Sequence, residues 1–230
     1  MSLWVIGDLH LCYSDPSKTM TVFSGWENYQ ERIEHNWNEI VKDDDTVVLA
    51  GDISWGMNIK QALPDFQHIN NLRGKKIILK GNHDYWWSTM NKMENFLAAE
   101  NLSTISILHN NFYKYENYGI CGTRGWVSIN GESQDEKILM REVQRLETSI
   151  SLAEAEGLEP IVFMHYPPIF AGSFNYDILQ VLYRHNVKSC YYGHIHGRSA
   201  HELCIKNTYD GIDFHLISGD YLGFIPEKVL

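Results

Sequence analysis

Five polar motifs in the sequence have residue types that suit metal chemistry, and each follows an apolar run. They read GDLH at 7–10, GDIS at 51–54, GNHD at 81–84, FMHYPP at 163–168 and YGHIHG at 192–197. Carboxylate and amide oxygens and imidazole nitrogens are ligands of borderline transition metals. Together the motifs indicate a metal site built from the following side chains: Asp8, His10, Asp52, Asn82, His83, His165, His194 and His196.

The spacing within two of these motifs supports the same interpretation. Asp8 and His10, like His194 and His196, are two residues apart. In an extended backbone such a pair lies on one side, about 6–7 Å apart. Two imidazoles at that separation can reach neighbouring metals about 3.5–4 Å apart, as in two-metal sites. Taken singly, each motif has a plainer explanation: a Gly-Asp pair is usually a turn, and Asp84 suits the cap of a following helix.

The apolar runs predict the elements that position these motifs. Continuous apolar character predicts strands covered on both faces, at 3–6, 46–50, 76–80, 118–122, 160–164, 189–192 and 214–218. Helical periodicity appears at 26–42, 58–72, 86–99 and 134–156. Strands that alternate with helices predict an α/β fold. Sites in such folds form beyond the carboxyl ends of the strands, so the five motifs are expected to converge.

Composition limits the class of protein. A chain of 230 residues with 44% hydrophobic content predicts a single domain over residues 1–230. The formal charge of −10 argues against nucleic acid and anionic membranes as partners. The four cysteines form no CxxC pair, and there is neither a signal-peptide pattern nor an apolar run long enough for a membrane span. We therefore expect a reduced, cytoplasmic protein without a membrane partner.

In their order, the motifs resemble those of the calcineurin-like metallophosphoesterase superfamily. The pattern D-x-H, GD, GNHD, single His and GHxH is complete between Asp8 and His196. The resemblance implies a four-layer α/β/β/α sandwich with a dinuclear metal site at the carboxyl ends of the strands. It also implies the ligand sets, which are Asp8, His10 and His196 for one metal and Asn82, His165 and His194 for the other, bridged by Asp52.

The charges of this ligand set suit phosphate ester hydrolysis. Two divalent cations and two aspartates leave a charge of about +2, which acidifies a bridging water to hydroxide and attracts a phosphate anion. His83 resembles the general acid of the family, and Asp84 is expected to orient its ring. The expected cofactors are two transition metal ions drawn from Mn, Fe, Zn, Co and Ni.

The residues around the motifs restrict the class of substrate that is expected. GDISWG and GNHDYW depart from the GDxVDRG and GNHE-Arg marks of the serine/threonine protein phosphatases, so a phosphoprotein is not the expected substrate. Trp55, Tyr85 and Tyr166 are candidates to stack against a flat group. Arg124 is either a phosphate clamp or a plain surface arginine.

These features favour a small organic phosphate, a nucleotide or a cyclic diester, and they leave open the choice between phosphatase and phosphodiesterase. The alternatives are a nuclease, which the acidic charge disfavours, and a non-catalytic scaffold of the same fold. The intact His83 and ligand positions argue against a scaffold.

Overall fold

The computed structural model describes residues 1–126 and 136–230. Its strands, in chain order, are β1 (Leu3–Ile6), β2 (Thr46–Ala50), β3 (Lys75–Leu79), β4 (Ile105–Ile107), β5 (Tyr113–Tyr115), β6 (Tyr118–Thr123), β7 (Glu159–Met164), β8 (Ile169–Phe170), β9 (Ser173–Phe174), β10 (Ser189–Tyr192), β11 (Thr208–Tyr209), β12 (Ile212–Leu216) and β13 (Glu227–Lys228). Its α-helices are α1 (Tyr29–Ile40), α2 (Leu63–Asn71), α3 (Met90–Ala99), α4 (Glu136–Ala155), α5 (Tyr176–Arg184) and α6 (Arg198–His201). None of these helices is long and apolar enough to cross a membrane.

The strands form two main sheets. The first has the order β13-β1-β2-β3-β4 and the second β11-β12-β10-β7-β6-β5. All neighbours are parallel except the edge strands β13, β11 and β5, which pair antiparallel. Register is fixed by pairs such as Val5 with Val48 and Val48 with Ile77. Strands β8 and β9 make a separate hairpin.

Successive side chains along each strand point to opposite faces of the sheet, so each face packs against a different layer of the fold. Val48 and Leu79 of the first sheet join Phe163 and Tyr191 of the second in one buried cluster between the sheets. The intervening residues face the helices, because successive strand side chains point to opposite faces. On the first sheet Val47 and Leu49 pack in a cluster with α1, α2 and α3.

The second sheet has its own helical layer. Val162 and Met164 pack in a cluster with Leu146 of α4 and Ile178 of α5. The layers are therefore helix, sheet, sheet and helix, and the predicted α/β sandwich is confirmed.

The predicted elements differ from the structure mainly at their ends. The helix expected over 86–99 begins at Met90, because the residues that follow β3 form turns rather than a first helical turn. The helices expected over 26–42 and 58–72 are shortened to α1 and α2, and 134–135 of the fourth lie outside the described residues. Helices α5 and α6 and the short strands β4, β5, β8, β9, β11 and β13 were not predicted. Segments of two or three residues are too short to show a period.

Candidate metal centre

The five motifs leave the carboxyl ends of five strands. Residues 7–10, 51–54 and 81–84 follow β1, β2 and β3 of the first sheet. His165 follows β7, and residues 193–196 follow β10 of the second sheet. The two sheets thus contribute to one centre, as the position of sites in α/β folds predicts.

The backbone at the centre turns sharply rather than running on extended. Asp8, His10, Asp52 and His194 have φ angles of 58°, 45°, 51° and 73°. These values lie in the left-handed region, which non-glycine residues adopt rarely and mostly at functional sites. The expectation of an extended Asp8/His10 pair and an extended His194/His196 pair is therefore wrong. Left-handed turns, and not strand alternation, aim these side chains at the centre.

Two glycines permit close approach of the loops. A Cβ on Gly81 would overlap the backbone nitrogen and Oδ1 of Asp52. A Cβ on Gly193 would lie 2.5 Å from Oδ2 of Asp8. Gly193 therefore lets the loop after β10 lie directly over Asp8, and the backbone N–H of His194 donates to that carboxylate at 2.9 Å.

A first cluster of possible ligand atoms combines Asp8, His10 and His196. These atoms all lie within 4.8 Å of one another. The Nε2 atoms of His10 and His196 are 3.4 Å apart. That separation fits two nitrogen ligands that are each about 2.0–2.1 Å from one ion. The cluster has the donors and the spacing of a transition-metal site.

A second cluster combines Asp52, His165 and His194, again within 4.8 Å. Nδ1 of His165 lies 3.0 Å from the carbonyl oxygen of Ala50, which makes Nδ1 the protonated nitrogen of the ring. Its Nε2 is left as an acceptor and lies 2.6 Å from Oδ1 of Asn82. Asn82 therefore extends the second cluster with an amide oxygen.

Asp52 lies between the two clusters. Its Oδ1 accepts the backbone N–H of His83 at 2.8 Å. Its Oδ2 is buried without a hydrogen-bond partner among the described residues, 3.7 Å from Nε2 of His10 and 3.5 Å from Nε2 of His165. A buried carboxylate oxygen without a partner is costly unless a cation compensates it. The position of this oxygen fits a ligand shared by two ions.

Burial sets the charge states of the centre in a way that suits cations. Burial raises the pKa of Asp8 to about 7, and it lowers the pKa of His165 to about 3 and that of His194 to about 2. Burial likewise lowers the pKa of His10 and raises that of Asp52. The imidazoles of His10, His165 and His194 are thus neutral, as metal ligands must be. At His196 burial also lowers the pKa, but the hydrogen bond to Asp220 and the nearby carboxylates outweigh it and raise the pKa. The donor set fits two transition metal ions.

Asp220 is a residue of the centre that the sequence reasoning missed. Its Oδ1 lies 2.9 Å from Nδ1 of His196, and its Oδ2 accepts the backbone N–H of Gly197 at 2.9 Å. The carboxylate therefore holds the His196 ring with Nε2 toward the first cluster, an arrangement common around metal-ligating histidines. The sequence did contain a signal, since Gly219-Asp220 follows the apolar run 214–218 as Gly7-Asp8 follows β1.

Asp84 has a different role from the one expected. Its Oδ2 accepts the backbone N–H groups of Asp52 (2.9 Å) and Gly81 (2.7 Å). Its Oδ1 accepts from the Ile53 N–H and from the indole N–H of Trp86, both at 2.8 Å. These bonds occupy both oxygens, so Asp84 does not orient the His83 ring. It fastens the loop after β2 to the loop after β3.

His83 lines a cavity of about 740 Å³ beside the two clusters. Its ring lies 4.8 Å from the ring of Trp55, which lines the same cavity and stacks on His10 at 5.0 Å. The hydroxyl of Tyr85 is 3.4 Å from Nδ1 of His83. The structure thus brings His83, Trp55 and Tyr85 together at the entrance to the centre.

Two other predicted substrate contacts lie elsewhere. Tyr166 is buried, and its ring packs against the His194 ring at a centroid distance of 4.2 Å, so it backs a ligand candidate rather than the cavity. The Arg124 guanidinium pairs with Glu142 at 3.2 Å and stacks over Trp126 at 4.9 Å. Arg124 is therefore not a plain surface arginine, because its side chain is 14% exposed and shares the buried Glu142 carboxylate with Arg145. That Arg124 clamps the phosphate stays a prediction.

Solved structures show the same fold at low identity. A protein of unknown function, AQ665 from Aquifex aeolicus, matches with a TM-score of 0.54 and 15% identity, over 99% of this chain and 95% of that one. The phosphopantetheinyl hydrolase PptH from Mycobacterium tuberculosis matches with a TM-score of 0.52 and 13% identity, over 100% and 95%. TT1561 of Thermus thermophilus matches with a TM-score of 0.54 and 12% identity, over 85% and 82%.

Sequence comparison gives the family. Among curated proteins none matches the chain significantly. The family model for calcineurin-like phosphoesterases matches residues 1–198, which include all the ligand candidates. Since two clusters of metal-binding side chains meet within that matched region, fold, centre and sequence agree. The chain belongs to the calcineurin-like phosphoesterase family.

Proposed function

We propose that this protein is a metal-dependent hydrolase of small organic phosphate esters. The observation that carries the proposal is Oδ2 of Asp52, a buried carboxylate oxygen without a partner among the described residues, within 3.7 Å of a histidine nitrogen from each cluster. Two divalent cations held there would acidify the attacking water and neutralise charge on the phosphoryl oxygens. A phosphate group bound across both clusters is thereby placed next to His83.

His83 is the proposed general acid. Its Nδ1 faces the Tyr85 hydroxyl, so Nε2 is the nitrogen that is free to serve a group in the cavity. As water oxygen bonds to phosphorus and the bond to the leaving oxygen breaks, His83 donates a proton to that oxygen. The Asp52 carboxylate fixes the backbone of His83 at 2.8 Å, which keeps the acid next to the phosphate.

The proposed substrate is a small organic ester rather than a long polyanion. The ring of Trp55 lines the cavity beside His83 and offers a face for stacking. The formal charge of −10 gives little attraction to nucleic acid. The solved structure named as a phosphopantetheinyl hydrolase supports hydrolase activity for this fold, although 13% identity carries no substrate over to this chain.

A panel of esters offered to the metal-loaded protein tests the proposal. The protein is loaded separately with Mn²⁺ and Zn²⁺ and given phosphate monoesters, diesters, nucleotides, single-stranded DNA and plasmid DNA. We expect the highest kcat/KM on a small ester and its loss in Asp52→Ala. A DNA substrate with higher kcat/KM than every small ester would identify a nuclease. Metal binding without turnover of any ester would identify a scaffold.

A further inference from the structure

Two cavities adjoin the metal centre. The Trp55 cavity, of about 740 Å³, is the one that contains His83, and the Leu203 groove, of about 520 Å³, runs beside α6. Of the described residues, His194 and His196 line both of them. His196 belongs to the first cluster and His194 to the second, so a phosphorus atom bound across both clusters lies where the two cavities meet.

Both cavities present apolar side chains to solvent. In the Trp55 cavity Phe23 is 55% exposed, and Met20 and Trp26 lie beneath it. In the Leu203 groove Leu203 is 54% exposed and adjoins Phe170. Pockets for organic ligands are typically lined by hydrophobic and aromatic side chains around a few polar groups. Each cavity therefore suits an organic substituent of its own.

The side chains of the two linings add little positive charge to that which two metal ions would supply. Among the described lining residues of both cavities, Arg198 is the one lysine or arginine, and its side chain is 96% exposed and 4.0 Å from Glu202. Arg124 and Arg145, which belong to other parts of the chain, both pair with Glu142. A monoester carries about −1.5 to −2 at neutral pH and gains from cationic side chains that these cavities do not offer. A diester carries a single negative charge and has two organic arms.

We infer that the substrate is a phosphodiester with an apolar arm on each side of the phosphorus, an inference that rests on the proposed function. The leaving arm lies in the Trp55 cavity beside His83, and the retained arm lies in the Leu203 groove. Water oxygen bonds to phosphorus, the bond from phosphorus to the leaving arm breaks, and His83 gives its proton to the departing oxygen. The products are an alcohol and a monoester of the retained arm.

Binding without turnover gives the first test. Calorimetry on the Mn²⁺-loaded His83→Ala protein, in which turnover of phenyl esters is expected to fall roughly 10²–10⁴-fold, compares diphenyl phosphate with phenyl phosphate. We expect diphenyl phosphate to bind roughly tenfold more tightly, and Phe23→Ser and Leu203→Ser each to remove much of that difference. Val22→Ser and Leu152→Ser, exposed residues outside both linings, are the matched controls. Phenyl phosphate that binds as tightly as diphenyl phosphate, or controls that weaken binding equally, would overturn the inference.

Kinetics on two esters that share one leaving group test which cavity holds which arm of the substrate. Methyl 4-nitrophenyl phosphate and phenyl 4-nitrophenyl phosphate differ in the retained arm alone. Leu203→Ser is expected to lower kcat/KM roughly tenfold for the phenyl ester and to spare the methyl ester, whereas Phe23→Ser lowers both. Equal losses on both esters in Leu203→Ser contradict the groove assignment. If diphenyl phosphate binds as expected and no ester is hydrolysed, the proposed hydrolase function fails while the two-armed site stands.

Discussion

Asp52 is the residue that we propose both clusters share. It offers one oxygen to the backbone of His83 and leaves the other between His10 and His165. Removal of a side chain shared by two ions should weaken the binding of both ions, whereas removal of a ligand of a single cluster should weaken mainly the binding of one.

We therefore expect Asp52→Ala to lower metal content more than any other single ligand substitution. Elemental analysis of purified protein should find a deficit for both ions in Asp52→Ala, and about one ion lost in His10→Ala or His194→Ala, the matched single-cluster variants. Two full equivalents in Asp52→Ala would rule out a shared ligand.

The proposed general acid has a distinct kinetic signature. His83→Ala should retain its metals and lose roughly 10²–10⁴ in kcat on esters with poor leaving groups. The loss should be much smaller for a 4-nitrophenolate leaving group, which needs little protonation. A steady-state comparison of the two ester types measures this, and equal losses on both would mean that His83 has another role.

Asp220 is expected to act through His196. Burial opposes a lower pKa for Asp220, but hydrogen bonds to His196 and His201 outweigh it and hold the pKa of the carboxyl well below its usual range. Asp220→Asn should therefore keep the fold but weaken one metal roughly 10–100-fold, because the His196 ring loses its anionic partner. Competition with a metal-binding dye measures this affinity, and binding of the second ion serves as the internal control. Equal weakening of both ions would contradict a role through His196.

At this scale the sequence predicted the ligand candidates but not the residues that hold them. Asp8, His10, Asp52 and Asn82 are recognisable because their types and strand-end positions suit metal chemistry. Asp84 was misassigned because its partners are backbone N–H groups, which any sequence supplies and which only the fold brings together. The role of a carboxylate that accepts hydrogen bonds from backbone N–H groups is set by the three-dimensional structure and not by the residues next to it in the sequence.

At the scale of elements, helices α4 and α5 are tied by a pH-sensitive contact. His185, at the end of α5, lies 2.9 Å from Glu147 and 2.8 Å from Glu154, both on α4. Burial would lower the pKa of His185, but the hydrogen bonds to the two glutamates outweigh it and raise the pKa above 6.5. Protonated His185 is thus favoured in the folded state.

The sign of the pH dependence follows from that direction. A group whose pKa is raised on folding contributes stability that is fully present below its unfolded value of 6.5 and is lost as pH rises through the folded value. His185→Gln should therefore destabilise the protein at pH 6 and become close to neutral at alkaline pH. Urea unfolding at several pH values measures this, with His35→Gln as a control outside the contact. A destabilisation that grows with pH would contradict the assignment.

The sequence predicted the strands in the interior of the fold, but it did not predict the backbone conformation of the loops at the metal centre. Runs such as 46–50 and 189–192 coincide with β2 and β10, because buried parallel strands have continuous apolar sequences. The loops that follow them have left-handed backbone conformations at Asp52 and His194. The glycines that precede these two residues are compatible with a sharp turn but do not specify its conformation. Backbone strain at a functional site is maintained by surrounding contacts, so a local pattern cannot show it.

At the scale of the molecule, the centre joins the two sheets at one end of the sandwich. Asp8, Asp52 and Asn82 come from the first sheet and His165 and His194 from the second. A cation bound to both sets would therefore link the sheets in the folded state and would bind the unfolded chain poorly.

Removal of the metals should consequently lower thermal stability. At metal concentrations 100- to 1,000-fold above Kd, each bound ion contributes about 2.7–4.1 kcal/mol by linkage, or roughly 5–15 °C in Tm for a domain of this size. Calorimetric scans with and without a chelator measure the shift. Asp52→Ala, which has fewer ligands to offer, should respond less to chelation. A Tm that does not change on chelation of the wild-type protein would mean that the metals do not link the sheets.

The ligand candidates of each cluster are far apart in the sequence, and this separation also affects when during synthesis a metal can be bound. Asp8 and His10 are synthesised before the other ligand candidates, and their partner His196 emerges from the ribosome some 186 residues after His10. The second cluster waits in the same way for His194. A nascent chain therefore has isolated pairs of ligands and no complete set until the second sheet has been translated and folded. We therefore expect metal to be acquired late in the maturation of this protein, so that the ions available to the finished fold, rather than those met during translation, would occupy the centre.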